Sequence, residues 1–158
     1  MYSLPLLKGR EVPGVNAEVS LRGGSRDVNP LRGQDNCAGC TIAGDASLKG
    51  HPASAINHGV TYVSDFMKEF GATQMSIYKS PQAIANFMGN LNEGATGVIF
   101  GDRGPGVDGH FFNVAKQSGV VQFIDFQQPV GYRFMNPSTI MQEGGFKQLY
   151  FLNTTKTT

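Results

Sequence analysis

The stretch QDNCAGCTIA (residues 34–43) passes from a polar loop into a small, apolar segment that predicts a helix, and it holds both cysteines of the chain. Asp35 or Asn36 is a favourable N-cap for this helix, because a short polar side chain can accept a hydrogen bond from an N–H group of the first turn. Cys37 would then lie in that first turn, where unpaired N–H groups and the helix dipole favour a thiolate. The stretch therefore predicts a nucleophilic cysteine at the start of a helix.

Composition limits the class of protein around this helix. The 158 residues are 40% hydrophobic, which is enough for one buried core, and we interpret 1–158 as a single domain. The net charge is +1 without a cluster of Lys and Arg, so we expect no binding of nucleic acid. No apolar run approaches the roughly 18 residues of a spanning helix, and we expect neither a signal peptide nor membrane insertion by this domain. The 21 glycines and 8 prolines favour a loop-rich α+β fold.

The order of the predicted elements is helical first and then β. Residues 1–33 are interpreted as a wrapping N-terminal arm with one short strand, 34–128 as the catalytic core, and 129–158 as a C-terminal loop and strand. Apolar spacing and end signals predict helices over about 37–49, 60–70 and 81–91, the last with Ser80 as N-cap. Strands are predicted over 97–100, 110–116, 120–126 and 147–153, with a glycine-rich loop at 101–109 shaping a cleft, an irregular segment at 128–145 and a frayed tail from Thr154.

The predicted hairpin relates a histidine to an acid. If Ser118 and Gly119 form a two-residue turn, the register pairs His110 with Gln127 and Phe112 with the residue at 125. Side chains alternate along a strand, so His110, Asp125 and Gln127 would share one face. His110 and Asp125 would then be diagonal neighbours, roughly 7–8 Å apart at the backbone and within reach of each other.

Cys37, His110 and Asp125 are together the parts of a thiol nucleophile, its base and the group that orients the base. Taken singly, each has a commoner structural explanation, such as a small core residue for the cysteine. The competing interpretation of the cysteine pair is a metal or redox site. A zinc site would need two more ligands from His51, His58 and His110, but the segment between the cysteines and these histidines is predicted to be helical. A zinc deaminase would need a His-x-Glu sequence upstream of the cysteines, which this sequence lacks. A redox pair would need a preceding strand, whereas a proline-rich arm precedes these cysteines. We therefore expect no metal and no cofactor.

Several ordered motifs resemble the papain-fold toxin domains of bacterial polymorphic toxins, the toxin glutamine deamidases. They are NCAGCTIAGDASLKG (36–50) with HPASA (51–55), GHFFNV (109–114) and VQFIDFQ (121–127), and the resemblance spans about residues 32–128. It implies a papain-like cysteine hydrolase fold, with an N-terminal nucleophile helix packed on a small antiparallel sheet. It also implies a catalytic Cys-His-Asp site carried by Cys37, His110 and Asp125.

The implied activity is deamidation of a glutamine side chain on a target-cell protein through a cysteine thioester. Gln34, Asn36 and Gln127 are candidate donors to the oxyanion or substrate. A cysteine protease or a transglutaminase would use the same parts, and a noncatalytic interaction module is the alternative from another class. The resemblance further implies a C-terminal part of a larger secreted toxin, delivered into the target-cell cytoplasm and neutralised in the producer by a cognate immunity protein.

Two ambiguities remain within the resemblance. Papain-like enzymes carry a glutamine six residues before the nucleophile, and Gln34 stands six before Cys40, which would begin the helix there. The N-cap argument and the Asn-Cys motif favour Cys37, which we take as the nucleophile. Phe126 departs from the family pattern, which leads us to expect a small residue there, and it could narrow the cleft near Gln127.

Overall fold

The computed structural model describes residues 27–51, 53–55 and 61–155, which form an α+β fold. Its helices are α1 (Cys37–Leu48), α2 (Val63–Lys68), α3 (Pro81–Gly89) and α4 (Ile140–Gly144), with a 3-10 turn at Val130–Tyr132. Its strands are β1 (Ser76–Tyr78), β2 (Thr96–Asp102), β3 (His110–Gln117), β4 (Val120–Ile124), β5 (Phe134–Met135) and β6 (Gln148–Asn153). The strands form one antiparallel sheet in the order β1-β6-β2-β3-β4-β5. No helix in the described ranges is long and apolar enough to cross a membrane.

The ends of the predicted helices are confirmed where local signals mark them. Helix α1 begins at Cys37, and Gly50 follows its last turn with a φ of 88°, in the left-handed region that glycine adopts most readily. Ser80 caps α3, because its hydroxyl accepts the Ala83 N–H at 3.2 Å. Helix α2 is shorter than predicted, and the predicted start at Val60 lies outside the described residues.

The hairpin of β3 and β4 has the predicted turn and register. Ser118 and Gly119 have φ values of 56° and 74°, as a type I′ turn requires, and Gln117 faces Val120. The ladder ends at Asn113 opposite Ile124, so the predicted pairings of residues 110 and 112 are wrong. The chain leaves the sheet in a tight turn after Ile124, in which the Gln128 N–H donates to the Asp125 carbonyl at 3.1 Å.

The C-terminal part contains more regular structure than predicted. The segment 128–145, predicted to be irregular, holds the 3-10 turn, β5 and α4, and β6 lies inside the sheet between β1 and β2. The tail is also fixed at Thr154 and Thr155, so fraying is the wrong prediction for these two residues. Thr154 Oγ1 donates to Asp45 Oδ1 at 2.6 Å, and Thr155 Oγ1 donates to the Thr96 carbonyl at 3.2 Å. Residues 1–26, including most of the predicted arm and its strand, lie outside the described residues, and 27–33 form no strand.

Both faces of the sheet are covered, and the alternation along β3 divides the core. Phe112 and Val114 join the cluster that includes Ile84 and Met88 of α3. Ala115 joins the cluster formed with α1, and Asn113 on the same side donates to the Thr41 carbonyl of α1 at 3.0 Å. This packing sets the start of α1 beside the first residue of β3, which is His110.

Candidate active site

The two cysteines lie in different surroundings. Cys37 is partly exposed and lines a cleft, whereas Cys40 is 1% exposed in the core with Leu48 and Phe126. Burial, together with the nearby Asp125 charge, raises the pKa of the Cys40 thiol far above its ordinary value. Cys40 is therefore a core residue that stays protonated, and Cys37 is the cysteine that lines the cleft.

His110 and Asp125 lie side by side, as the hairpin predicted, and form a buried ion pair, although the β3–β4 ladder ends before it reaches them. His110 Nε2 lies 3.0 Å from Asp125 Oδ2, and the two residues are 2% and 1% exposed. The turn that follows β4 makes this contact possible, because the Asp125 N–H donates to the Arg133 carbonyl at 2.7 Å and the Gln127 N–H donates to Asp125 Oδ1 at 3.1 Å. The carboxylate is thus held by the backbone on one oxygen and offers the other to the imidazole.

The surroundings of His110 favour its charged form. Burial by itself lowers the pKa of His110, but the charge and hydrogen bond of Asp125, together with a hydrogen bond to Cys37, raise it to about 9. Because Nε2 contacts Asp125, the ring nitrogen that remains for the Cys37 thiol is Nδ1. The three side chains therefore form a continuous thiol, imidazole and carboxylate series.

The cleft at Cys37 and His110 has a volume of about 330 Å³. Part of its lining is apolar and includes Tyr62, Phe100 and Phe111, and the ring centroids of Phe100 and Phe111 lie 4.8 Å apart. Another part comes from the glycine-rich loop, which was predicted to shape a cleft. No sequence signal singled out Tyr62, which precedes α2 and is 79% exposed.

The glycine-rich loop contributes two charged side chains to the cleft. Arg103 and Asp108 both line it, and the Arg103 guanidinium is held by the Gly144 carbonyl at 2.7 Å and the Asp108 carbonyl at 3.0 Å. Asp35 adds a second exposed carboxylate to the lining. The cleft therefore presents charge of both signs at its mouth.

The three candidate donors separate in the structure. Gln34 lines the cleft with Cys37. Asn36 and Gln127 are 0% and 5% exposed, do not line the cleft, and contact each other, with Gln127 Nε2 donating to Asn36 Oδ1 at 3.2 Å. Asn36 precedes α1 as predicted, but its side chain makes no capping bond to the helix, since it is engaged in this buried contact.

Phe126 does not narrow the cleft. Its ring is 4% exposed and packs against Gly44 of α1, where a Cβ atom would lie only 2.2 Å from the ring. The Arg133 guanidinium covers the ring at 5.1 Å. A glycine on the helix therefore makes room for the large side chain at this position.

Within the described ranges, no three His, Cys, Asp or Glu side chains group as a metal site would require. A family model described as papain fold toxin 1, glutamine deamidase matches residues 35–129. The chain belongs to this toxin family. Comparison with curated proteins and with solved structures gives no significant match.

The match to the papain fold toxin 1 family covers Cys37, His110 and Asp125 and agrees with the span of the sequence resemblance. It ends before β5, α4 and β6, although β6 lies within the sheet. This toxin domain therefore needs chain beyond the matched segment to complete its sheet.

Proposed function

We propose that this toxin domain deamidates a glutamine side chain of a target-cell protein to glutamate, with Cys37 as the nucleophile. The observation that carries the proposal is the position of the partly exposed Cys37 thiol next to the buried His110–Asp125 pair in a member of a glutamine deamidase family. His110 is the acid and base, and Asp125 orients its ring. The proposed reaction uses no cofactor and no metal.

The chemistry proceeds through a thioester. The Cys37 thiolate attacks the carboxamide carbon, and the protonated His110 gives its proton to the departing nitrogen, so that ammonia leaves. The neutral ring then takes a proton from a water molecule, which attacks the thioester carbonyl. The C–S bond breaks, Cys37 leaves as the thiolate, and the substrate carries a glutamate. Because the pKa of His110 is raised to about 9, the ring is protonated at neutral pH, as the first step requires.

The oxyanion needs donors close to the thiol. Helix α1 begins at Cys37, and its first backbone bond runs from the Cys40 N–H to the Asn36 carbonyl at 2.9 Å, so the N–H groups of residues 37–39 have no helical acceptor. Gln34 on the cleft lining is the side-chain donor best placed to join them. Asn36 and Gln127 act behind the cleft and not on the oxyanion.

The proposed setting is that of a secreted effector. The domain would be the C-terminal part of a larger toxin, enter the target-cell cytoplasm, and be held inactive in the producing cell by a cognate immunity protein. We propose no binding of nucleic acid and no membrane insertion by this domain. The family supports the toxin role, and the partners follow from it as part of the proposal.

Peptide mass spectrometry of target-cell proteins tests the activity. Deamidation adds about one mass unit and one negative charge to a single glutamine without breaking the chain. We expect this change with the native domain and its loss with Cys37→Ala and with His110→Ala, while Cys40→Ala retains it. Fragments would identify a protease, and cross-linked or amine-modified glutamine would identify a transglutaminase. If toxicity persists in both Cys37→Ala and His110→Ala, the domain acts as a noncatalytic module and the enzyme proposal is wrong.

A further inference from the structure

Asn29, Asn36 and Gln127 form a ring of hydrogen bonds behind the cleft, closed through the main chain of Gln127. Asn36 Nδ2 donates to Asn29 Oδ1 at 3.1 Å, Gln127 Nε2 donates to Asn36 Oδ1 at 3.2 Å, and Asn29 Nδ2 donates to the main-chain carbonyl of Gln127 at 3.0 Å. Asn29 and Asn36 are 0% exposed, and Gln127 is 5% exposed. Asn29 lies before the segment that matches the family and outside every motif of the sequence.

The ring joins the two halves of the proposed catalytic site. Asn36 directly precedes Cys37, and its carbonyl accepts the first backbone bond of α1. Gln127 follows Asp125 by two residues, and its N–H donates to Asp125 Oδ1 at 3.1 Å, opposite the oxygen that contacts His110. A displacement of either member would therefore change the distance between the nucleophile and the carboxylate that orients its base.

Asn29 is itself held in place by its own segment. Its side chain donates a second bond to the Gly33 carbonyl at 2.9 Å, and its N–H donates to Asp27 Oδ1 at 3.0 Å. These contacts fix both the side chain and the backbone, so Asn29 can serve as a rigid anchor for two elements that come from distant parts of the chain. A rigid support of this kind keeps catalytic groups within the small tolerance that the reaction allows.

Only one of the two polar atoms of the Gln127 amide is paired within the described residues. Gln127 Oε1 is buried and has no hydrogen-bond partner among the described residues, which is a cost that an apolar side chain would avoid. The donor of the same amide group is nevertheless directed at Asn36. The arrangement therefore leaves Gln127 Oε1 unpaired while the Gln127 Nε2 group contacts Asn36, which joins the two halves of the site.

We propose that Asn29 is a positioning residue, which holds the start of the Cys37 helix and the Asp125 turn in one fixed arrangement through Asn36 and Gln127. The inference rests on the proposed function. It predicts that opening the ring weakens the coupling of Cys37 to His110 and Asp125 while the fold persists.

Alkylation of Cys37 by iodoacetamide tests this without a known target protein. In a Cys40→Ala background Cys37 is the sole thiol, and at pH 6 an ordinary thiol is only about 0.3% thiolate. We expect Asn29→Ala to lower the alkylation rate at pH 6 by about tenfold and to shift the His110 NMR titration to lower pH, because Asp125 is no longer held against the ring. Far-UV circular dichroism and urea unfolding verify that the variant is folded.

The control is Asn153→Ala at an exposed asparagine, which removes the bond that the Thr155 N–H donates to Asn153 Oδ1 at 3.0 Å. Asn153 pairs with Gly97, whereas His110 pairs with Gly101 at the other end of β2, so both readouts should match the native domain. Asn29→Ser is the second variant, because it is a milder change whose hydroxyl lies one bond short of the amide atoms that contact Asn36, the main-chain carbonyl of Gln127 and Gly33. It should reproduce the slower alkylation even if Asn29→Ala fails to fold.

The results separate this inference from the proposed function. A native domain whose Cys37 reacts no faster at pH 6 than an ordinary thiol contradicts the proposed thiol–imidazole chemistry. If Cys37 of the native domain is reactive and the folded ring variants have the same alkylation rate and the same His110 titration as the native domain, only the role of Asn29 is overturned. That role is likewise overturned if Asn29→Ala does not fold and Asn29→Ser either behaves like the native domain or does not fold.

Discussion

Replacement of Asp125 by asparagine should reverse the direction in which the protein shifts the pKa of His110. The Asp125 charge and hydrogen bond outweigh the cost of burial and, with the contact to Cys37, raise the pKa of His110 from 6.5 to about 9. This difference corresponds to about 3 kcal/mol in favour of the protonated ring, at roughly 1.4 kcal/mol for each pH unit. An asparagine has nearly the same shape but no charge, so burial would dominate and the pKa of His110 would fall below 6.5.

The titration of His110 can be followed by NMR in a Cys37→Ala background, where no thiol titrates beside the ring. The chain has three histidines, so His51→Gln and His58→Gln assign the imidazole signals. We expect the His110 signal to titrate well above pH 6.5 with Asp125 present and below pH 6.5 in Asp125→Asn. The reasoning is refuted if His110 titrates at or below 6.5 while Asp125 is intact.

The same pair makes stability depend on pH with a definite sign. Because the folded pKa of His110 is raised, its contribution to the free energy of unfolding is complete below pH 6.5 and is lost as the pH rises towards about 9. In Cys37→Ala the loss should be at most about 3 kcal/mol, measured by urea unfolding at pH 6 and pH 9. Asp125→Asn should remove this slope or reverse it.

Four further substitutions test the two thiols and the packing of α1. Cys37→Ala should abolish deamidation, whereas Cys40→Ala should keep activity within a few-fold and lower the unfolding free energy by about 1 kcal/mol, because it leaves a small cavity. Asp45→Ala should lower the free energy of unfolding by about 3 kcal/mol in urea, because it removes the buried partner of two side chains. Gly44→Ala should lower the free energy of unfolding by about 2 kcal/mol and reduce deamidation, because the new methyl group displaces Phe126 next to the Asp125 turn.

The chain offers controls for these changes. Gly89 lies near the end of α3 with no atom within 4 Å of an added Cβ, so Gly89→Ala should leave stability unchanged or raise it slightly. Lys68→Ala removes an exposed ion pair with Asp65 and should change the unfolding free energy by less than about 1 kcal/mol. The packing argument is contradicted if Gly44→Ala lowers the free energy of unfolding no more than Gly89→Ala does. The argument for Asp45 is contradicted if Asp45→Ala and Lys68→Ala lower the free energy of unfolding by similar amounts.

Elements with strong local signals were predictable from the sequence. The Ser80 cap, Gly50 after α1 and the Ser118-Gly119 turn each determine the backbone within a few residues, and the structure confirms all three. Strands β1 and β5 and helix α4 have only three, two and five residues. They form because distant strands and the core support them, and such support leaves no periodic pattern in a short segment.

In the candidate site, the proximity of His110 and Asp125 was predictable from the sequence, but the position of Asn29 was not. Alternation along the hairpin brought His110 and Asp125 together even though β4 ends before Asp125, because the turn that follows keeps the carboxylate on the side of the imidazole. Asn29 could not be predicted, since its partners lie 7 and 98 residues away and a single asparagine in a loop carries no signal of burial. The sequence therefore indicates the candidate reacting groups more readily than the residues that contact them from behind the cleft.

Different parts of the candidate site bear on the type of reaction and on the choice of substrate. The buried His110–Asp125 pair and the thiol beside it provide chemistry that deamidases, proteases and transglutaminases share, so the pair alone does not choose among substrates. The cleft lining, by contrast, includes two large apolar side chains that are exposed to water: Tyr62 is 79% exposed, and Val107 in the glycine-rich loop is 56% exposed. Large apolar side chains that remain exposed to water beside a cleft are typical of a surface that binds a protein segment. We therefore expect substitutions at Tyr62 and Val107 to change which glutamine is modified and to leave the reactivity of Cys37 towards iodoacetamide unchanged.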